Sequence, residues 1–187
     1  MTMNTPPSQE TSPIGTVLIS REMISSRISA LAHEIDEAYT SADSPLILLS
    51  VLKGSILFLA DLSRALTIPV ELEFIAVRSY EGTHSTGSVE LVKDVSMPLR
   101  GRDVLMIEDI VDTGTTIAFL HEHIRRHAPR SVRLASLLNK ESRREKSVTV
   151  DYVGFDIPDR FVIGYGLDYD GIYRNLPDIR VLDSEEA

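Results

Sequence analysis

The fold is decided by the stretch Val104-Leu105-Met106-Ile107-Glu108-Asp109-Ile110-Val111-Asp112-Thr113-Gly114-Thr115-Thr116. Its apolar first part has the composition of a buried strand, and two acidic residues and a turn of hydroxyl and glycine residues follow. The next residues, as far as His127, have the spacing of a helix. Because a strand that leads into a helix is the unit from which parallel sheets are built, the stretch predicts an α/β protein.

The flanking sequence supplies a second unit of the same kind. A short apolar strand is followed by Lys53-Gly54-Ser55, a helical segment and, after Pro69, another strand. Upstream, Ser20 can cap a helix that runs to about Tyr39. The predicted helices are residues 21–39, 56–66 and 115–127, and the predicted strands are residues 46–51, 70–80, 103–107, 132–138, 152–155 and 161–165. Two such units imply a mainly parallel twisted sheet flanked by helices.

Three polar segments directly follow predicted strand ends, namely residues 53–55, 108–116 and 139–140. In open parallel sheets, ligands bind beyond the carboxyl ends of the strands, where the strand order reverses. We therefore expect these segments to converge on one edge of the sheet and to form the site there.

The strand predicted at residues 70–80 has a different pattern from the buried ones. Glu71 and Glu73 alternate with Leu72 and Phe74, which is typical of a strand with one solvated face near a sheet edge. The small polar segment that follows, residues 81–88, predicts a mobile loop of the kind that often serves as a lid.

Composition excludes several classes of protein. With 187 residues, of which 43% are hydrophobic and 25% charged, the chain fits one ordinary globular domain. The longest nearly apolar run, Pro45 to Leu52, is far shorter than the roughly 20 residues of a membrane-spanning helix. The first fifteen residues lack the features of a secretion signal and predict a frayed tail. The absence of cysteine excludes disulfides and thiolate zinc sites and favours a cytoplasmic protein.

Charge also limits the partners. A formal net charge of −9 would repel a nucleic-acid backbone, although a small anion can still bind to local donors and cations. Among the five histidines, His121 and His123 are two residues apart on a predicted helix and therefore point in different directions. We do not expect these two to share a metal ion.

Each part of the central stretch has a chemical use. The turn before the helix offers backbone N–H groups, hydroxyl donors and the positive end of a helix dipole, which together can hold a phosphate. The carboxylates of Glu108 and Asp109 suit neighbouring hydroxyls or hydrated Mg²⁺, and Asp112 is a candidate base. The structural alternative is that Asp112 and Thr113 merely cap the helix while the two acids form a solvated strand end.

Other motifs are weaker. Asp112-Thr113-Gly114-Thr115 matches an aspartic-protease tetrapeptide, but those enzymes are all-β and need two such aspartates side by side, and no second copy exists. The nucleotide P-loop and the dinucleotide-binding fingerprint are absent from the sequence. The segment Gly164-Tyr165-Gly166 is too short to count as either.

The central stretch resembles the phosphoribosyl-pyrophosphate signature of the type I phosphoribosyltransferases. From about Ile14 to Leu182 the chain resembles the hypoxanthine-guanine members, and residues 139–145, 154–159 and 162–169 are especially similar to bacterial ones. The resemblance implies one phosphoribosyltransferase domain at residues 14–182, with a small hood subdomain built from the chain ends. It leaves a flexible tail at residues 1–13 and an acidic tail at residues 183–187, and it implies Mg²⁺ as cofactor and a homodimer or homotetramer.

The resemblance also implies roles for individual residues. The peptide before Lys53 is often cis in the family, and Ser79-Tyr80 resembles the start of its lid. Phosphoribosyl pyrophosphate would contact Lys53, Gly54, Ser79, Tyr80, Glu108, Asp109, Thr113, Gly114, Thr115, Thr116 and Arg174. The purine would contact Lys140, Phe161, Val162 and Asp168. Mg²⁺ would be held by Glu108, Asp109 and Asp168, partly through water, and Asp112 would be the catalytic base.

The implied reaction transfers the phosphoribosyl group to a 6-oxopurine, hypoxanthine and also guanine, in purine salvage. Neither nucleic acid nor a membrane is an expected partner. One alternative is a regulatory protein that senses phosphoribosyl pyrophosphate without catalysis, since fold does not fix function. Another is an enzyme that prefers xanthine or guanine, because the backbone groups that discriminate between purines cannot be placed from sequence.

Overall fold

The computed structural model describes residues 15–79 and 89–182. Both predicted tails and the predicted mobile loop at 81–88 lie outside these residues. The helices are α1 (Arg21–Tyr39), α2 (Ile56–Ala65) and α3 (Thr115–Arg125), and the strands are β1 (Thr16–Ile19), β2 (Leu46–Leu52), β3 (Val70–Ser79), β4 (Val89–Lys93), β5 (Asp103–Val111), β6 (Ser131–Asn139), β7 (Tyr152–Asp156), β8 (Val162–Ile163) and β9 (Ile179–Val181).

A six-stranded sheet in the order β4-β3-β2-β5-β6-β7 forms the centre of the fold. β2 pairs in parallel with both β3 and β5, β6 pairs in parallel with β5 and β7, and β4 pairs antiparallel with β3. The prediction of a mainly parallel sheet is therefore confirmed. The strand order reverses between β2 and β5, which places the switch point where Lys53 and the acidic residues of β5 meet.

The helices cover both faces of this sheet. Leu46 and Leu48 of β2 pack into the core shared with α1 and α2, whereas Ile47 and Leu49 pack into the core shared with α3. This alternation follows from the period of two along a strand and explains why β2 is apolar throughout. The prediction of a capped first helix is also confirmed, because Ser20 Oγ accepts a hydrogen bond of 3.3 Å from Met23 N.

A second sheet is built from the two ends of the chain. Its order is β1-β9-β8, and both pairings are antiparallel. It corresponds to the hood that the resemblance implied. Because its strands are only two to four residues long, the hood depends on its packing against the main domain rather than on its own hydrogen bonds.

The strand predicted at residues 70–80 differs from expectation. Glu73 is buried, whereas Leu72 is 46% exposed, so the prediction of a solvated glutamate face was wrong. The reason is tertiary, because the segment after β4 covers Glu73 and donates to its carboxylate. The donors are Ser96 N at 2.9 Å, Ser96 Oγ at 2.7 Å and Met97 N at 3.1 Å. The sequence analysis also missed β4, which is the edge strand beside β3.

β5 is longer than predicted. It continues to Val111, so Glu108 and Asp109 lie within the strand and not in the turn after it. The pairing of β5 with β6 extends as far as Val111 and Asn139, which explains the added length. Within residues 15–79 and 89–182, no helix has both the length and the apolar character needed to cross a bilayer.

Candidate active site

Two carboxyl groups stand at the end of β5. Glu108 is buried, and its Oε2 has no hydrogen-bond partner among the described residues. Burial, together with the charge of Asp109, raises the pKa of Glu108 well above its ordinary range. Burial likewise raises the pKa of Asp109 to about 6, although Ile110 N donates a hydrogen bond of 2.9 Å to its Oδ1. Carboxyl groups held in this way are suited to a cation or to hydroxyl donors, so the alternative of a solvated strand end is wrong.

Two glycines bring other segments against these acids. A Cβ atom on Gly54 would lie 1.6 Å from Asp109 Oδ2, and a Cβ atom on Gly166 would lie 2.0 Å from the carbonyl oxygen of Gly54. Gly166 also has a φ of 102°, a conformation that side chains disfavour. The loop after β2, whose Leu52–Lys53 peptide is cis, is thus packed between Asp109 and the segment that follows β8.

The segment after β8 contributes a further acidic residue, Asp168, and a basic residue, Arg174. Arg174 Nη2 lies 2.6 Å from Asp168 Oδ1, and Arg174 Nη1 donates to the carbonyl oxygen of Gly166 over 2.6 Å. Among the charges that act on Asp109, Arg174 lowers its pKa and Asp168 raises it, which places both near that carboxyl. We call Glu108, Asp109 and Asp168 the acidic rim.

The turn at residues 113–116, which we call the phosphate turn, leads into α3. Gly114 is the N-cap residue with a φ of 84°, and Thr113 Oγ1 accepts a hydrogen bond of 3.4 Å from Thr115 N, the first residue of α3, as the helix-capping alternative expects of Thr113. The carbonyl oxygen of Thr113 accepts from Glu145 N at 2.9 Å and Lys146 N at 3.0 Å, which supports the turn from behind. Because the first backbone N–H groups of a helix have no partner within it, this turn can hold a phosphate.

Asp112 faces charged groups from the segment after β6. Arg143 Nε lies 3.2 Å from Asp112 Oδ1 as an ion pair that lacks hydrogen-bond geometry. Lys140 is buried, and its Nζ lies 3.8 Å from Asp159 Oδ1, while Arg143 Nη1 lies 3.5 Å from the same oxygen. Lys140 N also donates to the carbonyl oxygen of Val111 over 2.9 Å. Asp112 and Lys140 are therefore held at the ends of neighbouring strands.

Phe161 and Val162 reach this region from the hood. Phe161 is 48% exposed, and its ring meets that of Tyr169 edge to face at 5.7 Å. Val162 is buried in β8, where it pairs with Val181. Phe161 follows Asp159 by two residues, so its exposed ring lies close in the chain to the contact with Lys140. An exposed aromatic face is suited to stacking on a planar heterocycle.

The structure brings most of the predicted residues together. Lys53, with its exposed side chain, adjoins Gly54 at the same sheet edge. Ser79 is the last residue of β3 and pairs with Val89, and Tyr80 lies outside the described residues. The sequence analysis missed the ion-pair roles of Arg143 and Asp159 and the close approach of Gly166. No local signal could have found them, because each contact joins segments that are distant along the chain.

The fold and site define an α/β protein whose switch point is suited to a phosphorylated ligand, with carboxylates beside the phosphate turn and a second small sheet, the hood. The phosphoribosyl transferase domain model matches residues 20–170. The chain is 45% identical over 175 residues to the hypoxanthine-guanine phosphoribosyltransferase of Mycobacterium avium, covering 91% of this chain and 86% of that protein. It is 42% identical over 164 residues to the hypoxanthine phosphoribosyltransferase of Escherichia coli, covering 87% and 92%.

A solved structure agrees with these relatives. The hypoxanthine phosphoribosyltransferase of Trypanosoma cruzi, in complex with the product IMP, matches with a TM-score of 0.89 and 42% identity over 96% of this chain and all of that chain. The chain belongs to the phosphoribosyltransferase family.

Proposed function

We propose that this protein is a purine salvage enzyme of the hypoxanthine phosphoribosyltransferase type. It transfers the 5-phosphoribosyl group from phosphoribosyl pyrophosphate to hypoxanthine, and also to guanine, and it yields IMP or GMP with pyrophosphate. The names of the relatives and the IMP complex of the Trypanosoma cruzi enzyme support this proposal. The observation that carries it is the convergence of the acidic rim, the phosphate turn and Lys140 on one edge of the sheet.

On the donor side, the turn at residues 113–116 would hold the 5′-phosphate through its backbone N–H groups. Lys53, Gly54 and Arg174 would bind the pyrophosphate, with Ser79 and Tyr80 closing the donor site. Glu108 and Asp109 would bind the ribose hydroxyls. The unpartnered Oε2 of Glu108 and the raised pKa of Asp109 fit a divalent cation, so Glu108, Asp109 and Asp168 would hold Mg²⁺, partly through water. Bound Mg²⁺ would neutralise charge on the departing pyrophosphate.

On the acceptor side, Lys140 would donate to the exocyclic oxygen of the 6-oxopurine, Phe161 would stack on the ring, and Val162 and Asp168 would contact the purine edge. The bond between the ribose carbon and pyrophosphate breaks as the bond to purine N9 forms. Asp112 would take the proton that the purine loses from N7, so Arg143 must leave Asp112 accessible when the purine binds.

A direct assay tests this function. Purified protein with Mg²⁺ and phosphoribosyl pyrophosphate is mixed with hypoxanthine, guanine, xanthine or adenine, and nucleotide formation is followed. We expect product from the 6-oxopurines and little from adenine, because Lys140 is a donor and adenine carries an amino group at that position. If no base gives product while the donor still binds, the protein senses phosphoribosyl pyrophosphate and the enzymatic proposal is wrong.

We further propose that the protein works in the cytoplasm as a homodimer or homotetramer, as a single domain at residues 14–182 with short tails. The partly exposed apolar side chains of Ile56 on α2 and Leu72 on β3 favour association with a second copy. Sedimentation equilibrium distinguishes these states from a monomer.

A further inference from the structure

A second cluster of metal-binding side chains lies at the far end of α3. It consists of Asp94, His123 and His127, whose ligand atoms all lie within 4.8 Å of one another. His123 follows Thr115 by eight residues, so at the helical rise it lies about 12 Å further along the axis than the phosphate turn. The cluster is therefore separate from the acidic rim and has no part in the proposed reaction.

The geometry is close to what a small metal ion needs. His123 Nε2 lies 2.8 Å from Asp94 Oδ1, and the ring centroids of His123 and His127 are 5.3 Å apart at 63°. Tetrahedral zinc has bonds of about 2.0–2.2 Å to nitrogen and oxygen, which places two of its ligand atoms roughly 3.3 Å apart. The existing nitrogen–oxygen pair would need to open by only about 0.5 Å on this basis. His127 lies in the turn directly after α3, where its backbone N donates a hydrogen bond of 3.0 Å to the carbonyl oxygen of Ile124.

The supporting contacts hold these side chains in place. Asp94 Oδ1 accepts a hydrogen bond of 2.7 Å from Val95 N, and the residues that follow are fixed by the buried carboxylate of Glu73. The ring of His123 stacks on Phe119 at 6.3 Å with an interplanar angle of 13°. The side chain of His123 is only 19% exposed. Such support orients ligands before the metal binds.

We propose that Asp94, His123 and His127 form a structural binding site for a divalent transition-metal ion of the zinc type, with water completing the coordination. Two imidazoles and one carboxylate select such ions over Mg²⁺, which prefers oxygen ligands. The bound ion would join the segment after β4 to the end of α3, the helix whose other end forms the phosphate turn. An ordinary surface ion pair would use only Asp94 and His123.

Zinc binding to the untagged full-length protein tests the site directly. Zn²⁺ is titrated by calorimetry in excess Mg²⁺, the cation proposed for the acidic rim, and imidazole resonances are followed by NMR. We expect one equivalent of Zn²⁺ per chain, with shifts in the resonances of His123 and His127 but not of His33 or His121. Zn²⁺ should also raise the melting temperature. Absence of binding, or shifts confined to other histidines, overturns the proposal.

Variants check that all three side chains act as ligands. His127→Ala and Asp94→Asn should each weaken Zn²⁺ binding by at least about tenfold, because even changes to outer residues of metal sites cost that much. His33→Ala is the matched control, since the side chain of His33 is 76% exposed on α1. Unchanged affinity in His127→Ala contradicts the proposal, as does an equal loss in the control. Neither result bears on phosphoribosyl transfer, which is assayed without zinc.

Discussion

At the scale of single residues, Asp112 is the group on which the proposed chemistry depends. It stands between the acidic residues of β5 and the phosphate turn, and its Oδ1 is buried against Arg143. A carboxylate in this position can accept a proton from a base anchored beside the ribose.

We predict that Asp112→Asn lowers kcat by about 10²- to 10⁴-fold, since the amide cannot take the proton of the purine. Donor affinity should change little, because the backbone of the turn is retained. Steady-state kinetics and calorimetry with phosphoribosyl pyrophosphate measure the two effects. Asp43→Asn, at a side chain that is 94% exposed, serves as the control. Unchanged turnover in Asp112→Asn would refute the assignment of the base.

Lys140 carries the second prediction at this scale. Lys140→Ala removes the proposed donor to the purine oxygen, and a hydrogen bond from a charged group contributes about 1.5–3 kcal/mol, so KM for hypoxanthine should rise at least tenfold. Donor affinity should be nearly unchanged. Lys146→Ala, which removes an exposed lysine nearby, is the control. Equal losses for hypoxanthine and for phosphoribosyl pyrophosphate would show that Lys140 acts on the donor side instead.

At the scale of elements, the site depends on close contact between the loop after β2 and the segment after β8. Gly166→Ala would push a methyl group against the carbonyl oxygen of Gly54. We predict that the free energy of unfolding falls by more than the roughly 1–2 kcal/mol that a side chain at a positive φ costs by itself. We also predict weaker binding of the donor. Urea unfolding and calorimetry measure the two effects.

Gly171→Ala is the matched control for this prediction. Gly171 also has a positive φ, of 84°, but a Cβ atom there would meet nothing within 4 Å. It should therefore show the conformational cost without the clash and leave donor binding unchanged. If the two variants behave alike, the contact between Gly166 and Gly54 does not shape the site.

The hairpin of β3 and β4 depends on the buried carboxylate of Glu73. Although burial opposes ionisation, hydrogen bonds from Phe74 N and Ser96 lower the pKa of Glu73 to about 2. We predict that Glu73→Gln costs about 1–3 kcal/mol at pH 7, because the amide leaves backbone donors unsatisfied. The ionised carboxylate of Glu73 stabilises the fold at pH values above the pKa of glutamate in the unfolded chain, about 4.3. This stabilisation is lost as the pH falls through 2.

Urea unfolding at neutral and acidic pH measures this effect. Glu71→Gln on the same strand is the control, because Glu71 forms a partly exposed ion pair with Arg102 and should cost less than about 1 kcal/mol. A loss in Glu73→Gln that does not shrink at low pH would contradict the charge argument.

At the scale of the whole molecule, the acidic rim provides carboxyl groups for a ligand and lowers the stability of the unliganded protein. The folded pKa of Asp109, about 6, lies above its unfolded value, so its contribution to stability is present at low pH and is lost as the pH rises through 6. We predict that, without Mg²⁺, Asp109→Asn stabilises the protein by about 2 kcal/mol at pH 7.5 and by less at pH 4.5. Thermal unfolding at both pH values measures the difference.

Asp103→Asn provides a control of opposite sign. A hydrogen bond from Arg130 lowers the pKa of Asp103, so its removal should destabilise the protein at neutral pH. If Asp109→Asn also destabilises the protein at pH 7.5, the prediction is wrong, because burial of the Asp109 carboxylate then does not lower the stability of the free enzyme. The pair thus separates carboxylates kept for function from those that stabilise the fold.

The sequence predicted the parts of this molecule that are local. The apolar strands, the helix capped by Ser20 and the phosphate turn each follow from neighbouring residues, so composition and spacing were sufficient. The chemistry of the central stretch supplied Glu108 and Asp109, and the resemblance supplied Asp168 and the role of Lys140. Their convergence on one sheet edge followed from the rule that parallel strands end together.

Only the tertiary structure decided which polar groups are buried and what they contact. Glu73 resembles a solvated strand residue in the sequence, and its burial comes from a segment more than twenty residues later. The contacts of Gly166 with Gly54, Arg143 with Asp112, and His123 with Asp94 likewise join distant segments. Local sequence determines which strands and helices form, but the packing of those elements fixes which side chains lose water and which meet.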